Sequence, residues 1–297
     1  MTGGAHPLDD GTHPLDDGAQ PLDIGARPRD NGAHPPDNRA RSLDNAAHPL
    51  DNPGLASLTG PHARFAERRG RVLRYPVDVS PWLGLPAEPD AADWADLAAF
   101  AGADGSVPLP GVGARVPTGW ELTFDVPGVQ LVGGGVAAVP DAEAVRLGPA
   151  DVPEMLDLVA RTRPGPFLPR TVELGTYLGL REGGALVAMA GERLRPPGFT
   201  EISAVCTDPA YRGRGLAARL VRAVAHGIRE RGDTPFLHTS ARNTGAIRLY
   251  EALGFELRRT LAFRAARPPL VAVAAGRAPD PGTGAAAENG RTTVRSG

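Results

Sequence analysis

Apolar and polar positions recur with readable periods over one stretch of this chain, Ala144 to Arg267, and more loosely elsewhere. Within it, AVRLG predicts a strand, and DVPEMLDLVARTR predicts a helix with Asp151 as its cap and Pro153 in its first turn. TYLGLREGGALVAMAGERL has the alternation of a hairpin, with Glu182–Gly184 as its turn. FTEISAVCTD reads as a strand, RGLAARLVRAVAHGIRERG as an amphipathic helix ending at Gly232, and PFLHTSA as the next strand. NTGAIRLYEAL is a helix closed by Gly254, and FELRRTLAFRA predicts a final pair of strands.

Upstream the signal is weaker. A helix is expected over Ala91–Ala101, with strands at Trp120–Val126 and Val129–Val132 and Gly and Pro between them. These elements predict a smaller N-terminal α/β lobe, residues 48–140, without a catalytic motif. The first 52 residues follow another rule. A seven-residue repeat runs from GAHPLDD at Gly4–Asp10 to AAHPLDN at Ala46–Asn52, with Asp sixth in every copy and Pro fourth in six of them. Proline costs about 3 kcal/mol in a helix interior, and no paired apolar seam is present, so this period is not a coiled coil. Nine Asp against four Arg, with few large apolar side chains, cannot offset the entropy of ordering. Residues 1–47 are expected to be a disordered tail, and residues 268–297, rich in Pro, Gly and Ala, a second flexible one. The His6-x-x-Asp9 spacing could ligate a metal only if held rigid, so no metal is expected.

Composition narrows the chemistry. All 32 basic residues of the 297 are Arg, which excludes a Schiff base and a phosphate-loop Lys. The single cysteine, Cys206, excludes an intrachain disulfide and a cysteine-rich zinc site. No apolar run reaches the ~18 residues that cross a bilayer, and no basic-then-apolar leader opens the chain. A cytoplasmic protein with no membrane partner is expected. The net charge of −2 hides an asymmetry, because Cys206–Arg267 carries twelve Arg against five acidic residues.

That basic region holds the most informative segment, VCTDPAYRGRGLA at Val205–Ala217. A strand ends, a short loop follows, and Gly213 and Gly215 open a long helix. A helix start offers unpaired N–H groups and partial positive charge, which together hold phosphate, and glycines let the backbone approach the anion. The pattern also matches G-x-G-x-x-A of dinucleotide folds formally. That fingerprint, however, needs its glycines directly after the strand and an acid ending the following strand, whereas Asp233 precedes it here.

Together with NTGAIRLYEALGF at Asn243–Phe255, the segment resembles the GNAT superfamily of N-acetyltransferases; Arg212-Gly-Arg-Gly215-Leu-Ala217 fits its acyl-CoA motif. The resemblance covers about Ala144–Arg267. It implies an α/β fold with a mixed, mostly antiparallel central sheet flanked by helices and splayed at the acyl-CoA site. It also implies acetyl-CoA as co-substrate and a primary amine, small molecule or protein, as acceptor. The backbone of Val205, Cys206 and Thr207 would pair with the pantetheine arm, and the N–H groups of Arg212, Gly213, Arg214, Gly215, Leu216 and Ala217 would hold the pyrophosphate. Asn243 and Ala246 would meet the cofactor arm, and Tyr250 would face the sulfur as general acid.

His238 and Glu201 are the candidate bases, with Glu192 a third choice. His238 stands where some members that acetylate protein N-termini carry a carboxylate. As a thiol nucleophile, Cys206 is disfavoured against a buried core role. The Arg excess is accounted for by CoA phosphates and aromatics are only 5%, so no nucleic acid partner is expected. A homodimer is compatible with the sequence. The rival reading is a non-catalytic acyl-CoA-binding module. Deleting Met1–Ala47 is expected to leave the melting temperature and acetyl-CoA affinity nearly unchanged, as scanning calorimetry and titration would show.

Overall fold

The structure, a computed structural model, describes residues 48–102, 105–109 and 115–269, all within one compact unit. The expected tails, 1–47 and all but the first two residues of 268–297, lie outside the described residues, as does the His6–Asp9 pair. The last heptad copy opens the described chain, and each of its polar groups is used. His48 Nδ1 accepts from the Leu50 N–H at 3.1 Å, and Leu50 is buried. The Asp51 carboxylate meets Arg258 at 2.7 Å, while Asn52 Oδ1 accepts from the Leu55 N–H and its amide donates to the Leu85 carbonyl. With Pro53 at its first position, helix α1 (Pro53–Leu58) starts from that cap.

Three short strands follow, β1 (Glu67–Arg69), β2 (Val72–Arg74) and β3 (Leu83–Gly84), paired antiparallel in that order. Helix α2 (Ala91–Ala98) is closed at its start by a reciprocal Asp90–Asp93 capping box; it ends three residues short of the expected helix. Strands β4 (Val107–Leu109) and β5 (Glu121–Val132) come next. The two expected strands at 120–132 are therefore one, running through Pro127 and Gly128. A Cβ on Gly128 would lie 2.5 Å from the Phe263 ring, so only glycine fits there. Pro127 sits just past the end of the β5 pairing with the neighbouring strand at Ser240, where its carbonyl accepts from Ala241 N–H and no donor is missed.

The remaining elements match the periods closely: β6 (Val145–Leu147), α3 (Val152–Thr162), β7 (Tyr177–Glu182), β8 (Ala185–Glu192), β9 (Phe199–Thr207), α4 (Leu216–Glu230), β10 (Thr234–Ser240), α5 (Thr244–Ala252) and β11 (Glu256–Arg267). Two details differ. Asp151 holds the N-cap position of α3, but its side chain makes no cap hydrogen bond to that helix; its carboxylate accepts from the Gly148 N–H and from Arg181. The expected final strand pair is one long strand, β11, bulged between Leu257 and Arg259. The β7–β8 turn places Gly183 and Gly184 at φ +57° and +89°, the left-handed pair that a two-residue hairpin turn requires.

Eight strands form one sheet in the order β4-β11-β5-β10-β9-β8-β7-β6. Only β9 and β10 run parallel; every other pairing is antiparallel. Helices α4 and α5 cover one face through Leu216, Leu220, Val221, Val224, Ile228 and Tyr250, and α3 covers the other through Met155 and Leu158. Pressed between α3 and α4, β8 is buried from Leu186 to Glu192 and uses small residues where neighbours crowd it; a Cβ on Gly191 would fall 2.2 Å from the Tyr177 ring.

The N-terminal elements do not make a separate lobe. Leu50, Leu58, Phe65 and Tyr75 pack on Phe236 of the large sheet, and Val72, Leu83, Trp94 and Leu97 pack on Val107, Leu109 and Ala266. Strands β4 and β5, moreover, belong to the large sheet, so the expected boundary at 140 divides nothing. Strands of two or three residues bury too little surface to stand alone, and their core is completed by the sheet. Among the described residues no helix is long and apolar enough to cross a membrane. Leu50→Ala should lower unfolding stability by about 2–5 kcal/mol, seen as a lower urea midpoint at unchanged slope.

Candidate active site at the parting of two strands

The parallel pairing of β9 and β10 lasts three rungs, Thr234↔Phe199, Pro235↔Thr200 and Phe236↔Glu201. Beyond them β9 runs on to Thr207 and β10 to Ser240 without pairing, so the edge of β9 facing β10 keeps backbone donors and acceptors free for an extended ligand. A bulge reshapes this edge. Ala204 and Val205 together oppose Ala190, and Ala204 adopts φ +53°, rare for a residue with a Cβ. Ile202 and Val205 consequently both face α4, while Ala204 and Cys206 both face α3.

Val205, Cys206 and Thr207 therefore contribute backbone to the opening while their side chains pack away from it. Burial pushes the Cys206 thiol up to about 11, leaving little thiolate for nucleophilic attack. The Thr207 hydroxyl is buried without a hydrogen-bond partner among the described residues.

At the end of β9 the chain turns through Asp208, which accepts from the Ala210 N–H, and reaches Arg212–Gly215. Gly213 and Gly215 both adopt left-handed backbone, φ +76° and +74°, and a Cβ on either would meet nothing within 4 Å. Gly215 is the N-cap of α4 and supplies no side chain, so the first N–H groups of a fifteen-residue helix, at Leu216 and Ala217, have no side-chain cap. The Arg214 guanidinium pairs with Glu182 on the β7–β8 turn, and exposed Arg212 reaches only the Thr207 carbonyl, at 3.5 Å. Such a cradle fits a pyrophosphate.

Helix α5 packs into the same core cluster as α4 and Val205 of β9. Asn243 caps it, its Oδ1 accepting from the Ala246 N–H at 3.1 Å, which leaves the Asn243 amide N–H groups for a ligand. Ala246 packs half-buried on the core, and Tyr250, one helical turn further, is buried against Phe255. Burial, reinforced by nearby Cys206, pushes the Tyr250 phenol up to about 12 and keeps it protonated at neutral pH.

The two candidate bases meet as one buried pair. His238 Nδ1 lies 2.7 Å from Glu201 Oε1, with both side chains almost wholly buried. Glu201 also accepts from Arg193 Nε and Nη2, at 2.9 and 2.7 Å, and from the Leu194 N–H. Burial opposes its ionisation, but Arg193 and the hydrogen bonds from Arg193 and His238 outweigh that and hold it at about 2. With Arg193, the Leu194 N–H and His238 all on its two oxygens, Glu201 is occupied as a hydrogen-bond acceptor, which weighs against a role as base. Glu192 is likewise buried and occupied, by Arg231 at 2.7 Å.

Sequence reasoning missed the partners. Arg193, Gln130, Arg258 and Trp82 surround the pair: Gln130 reaches His238, Arg258 reaches Gln130, and the Trp82 ring lies 5.2 Å from the imidazole and 5.4 Å from the Arg193 guanidinium carbon. The one usable signal was a lone polar residue inside an apolar run, as with Gln130 in GVQLV.

Because the folded-state value of Glu201 lies below the ordinary carboxylate value near ~4.3, its contribution is complete above about pH 5 and disappears as pH falls toward 2. Glu201→Gln should cost about 3–5 kcal/mol at pH 7, because Arg193 stays charged and buried without its partner. The variant's stability should also change less than the parent's between pH 5 and 2 in chemical denaturation at each pH.

Comparison with known proteins identifies the fold and the family. Residues 177–263 match the family model for FR47-like protein. A solved GNAT-family structure from Novosphingobium aromaticivorans is 39% identical, with a TM-score of 0.68 over 75% of this chain and 99% of that one. The N-alpha-acetyltransferase RimI of Mycobacterium tuberculosis is 40% identical over 83 residues, 27% of this chain and 51% of the relative. A mycothiol acetyltransferase of Rhodococcus erythropolis is 43% identical over 61 residues, 20% of each chain. The chain thus spans about half the length of the first curated relative and a fifth of the second. With a fold shared over almost the whole of a 39% identical GNAT structure, this chain belongs to the GNAT family.

Proposed function

We propose that this protein transfers an acetyl group from acetyl-CoA to a primary amine by direct attack. The observation that carries the reading is the opening between β9 and β10, with the uncapped start of α4 following β9 and Tyr250 near Cys206 of β9. Gly213–Ala217 would hold the pyrophosphate through backbone N–H groups, Arg212 would add charge, and the free edge of β9 would pair with the pantetheine amides. The thioester would then lie between the parted strands.

The neutral amine attacks the thioester carbonyl, a C–N bond forms, and the C–S bond breaks. The Tyr250 phenol supplies the proton that the departing thiolate takes up, the amine's surplus proton passes to solvent, and the phenolate takes a proton back from solvent to close the cycle. Holding the two reactants in register accounts for much of the rate. The named relatives act on different acceptors, so their names support an amine in general and no particular one.

A thiol-release assay with acetyl-CoA and a panel of primary amines tests the reading. Acetyl-CoA binding without thiol release on any acceptor would favour the non-catalytic module. Tyr250→Phe removes one hydroxyl and little volume; turnover should fall ~10²–10⁴-fold while calorimetric acetyl-CoA affinity holds. Full turnover in that variant would assign the proton to water.

A further inference from the structure

The last link across the parting strands is made by side chains. Phe236↔Glu201 is the final backbone rung, and His238, two residues further along β10, reaches back to Glu201 with Nδ1. Glu201 is ionised and accepts only, so Nδ1 carries a proton. The opposite nitrogen, Nε2, lies 3.0 Å from Gln130 Nε2.

Which end of the Gln130 amide faces the imidazole is decided by Arg258. Its guanidinium can only donate and sits 2.8 Å from Gln130 Oε1, leaving the amide NH₂ for the Leu50 carbonyl at 3.0 Å and for His238. Nε2 must then accept. Both nitrogens are committed, the side chain is 1% exposed, and the rings of Trp82, Phe236 and Phe263 enclose it at 5.2, 5.6 and 6.3 Å.

We propose that Glu201 and Gln130 clamp His238 as the neutral Nδ1–H tautomer, and that the clamped imidazole positions β10 against β9 where the acyl site opens, without taking a proton from the acceptor. Gln130 and His238 are thus positioning residues. The inference rests on the proposed transfer reaction only for its kinetic readout. An amide can replace a neutral donor–acceptor, whereas it cannot replace a base.

The test pairs two variants of the full chain with a spectroscopic measurement. His238→Gln, which keeps one donor and one acceptor, should stay within about threefold of the parent in kcat and in KM for acetyl-CoA. His238→Leu, which keeps neither, should raise that KM about tenfold or more, with the smaller change in kcat. A drop of ~10²–10⁴-fold in kcat for His238→Gln at unchanged KM would make His238 the base and overturn the proposal. Imidazole nitrogen shifts in the ¹⁵N-labelled full chain at neutral pH should show Nδ1 protonated and Nε2 bare. An Nε2–H tautomer or an imidazolium would overturn it. That readout needs no acceptor and no variant, so it stands even if no tested amine is acetylated or His238→Gln fails to fold.

Discussion

A carboxylate cut off from water sits at the point where the central sheet opens. Glu201 is fully buried, yet its charge is held by Arg193 from the end of β8 and by His238 from β10. Moving a charge out of water costs several kcal/mol, and only a partner in close, hydrogen-bonded geometry offsets that cost. The pair therefore works as a geometric constraint. Arg193 N–H donates to the Glu201 carbonyl and Glu201 N–H to the Leu194 carbonyl, which brings both side chains to one side of the hairpin. From there β9 and β10 can part without losing their relative position, because His238 still spans them.

The same constraint explains why the N-terminal elements belong to the domain. Gln130 and Arg258 extend the polar chain from His238 to the Leu50 carbonyl and the Asp51 carboxylate, while Trp82 covers the Arg193 and His238 end. A buried polar network is tolerable only when every member is satisfied. The segment from His48 to Asn52 supplies acceptors that β5 and β11 need, and buries Leu50 against Phe236 in return. What began as the last copy of a heptad repeat is a structural strap.

The proposed acyl site, in contrast, lies where the network stops. Past Phe236 and Glu201 the edge of β9 is unpaired with β10, a bulge at Ala204 shifts its register, and the first turn of α4 has no side-chain cap. Unpaired backbone groups of this kind are costly in a core and useful at a binding site, where an extended, anionic ligand can satisfy them. In the proposed reaction Tyr250 would supply the acid.

Local chemistry was readable from the sequence alone. Spacing of apolar residues and punctuation by glycine gave α3, α4, α5 and β6–β10 within a few residues, since each depends on its own periodicity and caps. The left-handed turns at Gly213 and Gly215 and helix α5 with its Asn243 cap were legible for the same reason. Long-range pairing was not. Val129–Val132 reads the same whether it pairs within a small lobe or between β10 and β11, and nothing local distinguishes one bulged strand from two. Glu201 and His238 were both candidates in the sequence, but that they pair, and which partners hold them, turned on Arg193, Gln130 and Arg258, up to 128 positions apart in the chain. Whether a carboxylate or an imidazole can accept a proton depends on its solvent and its neighbours, and only the folded chain determines those.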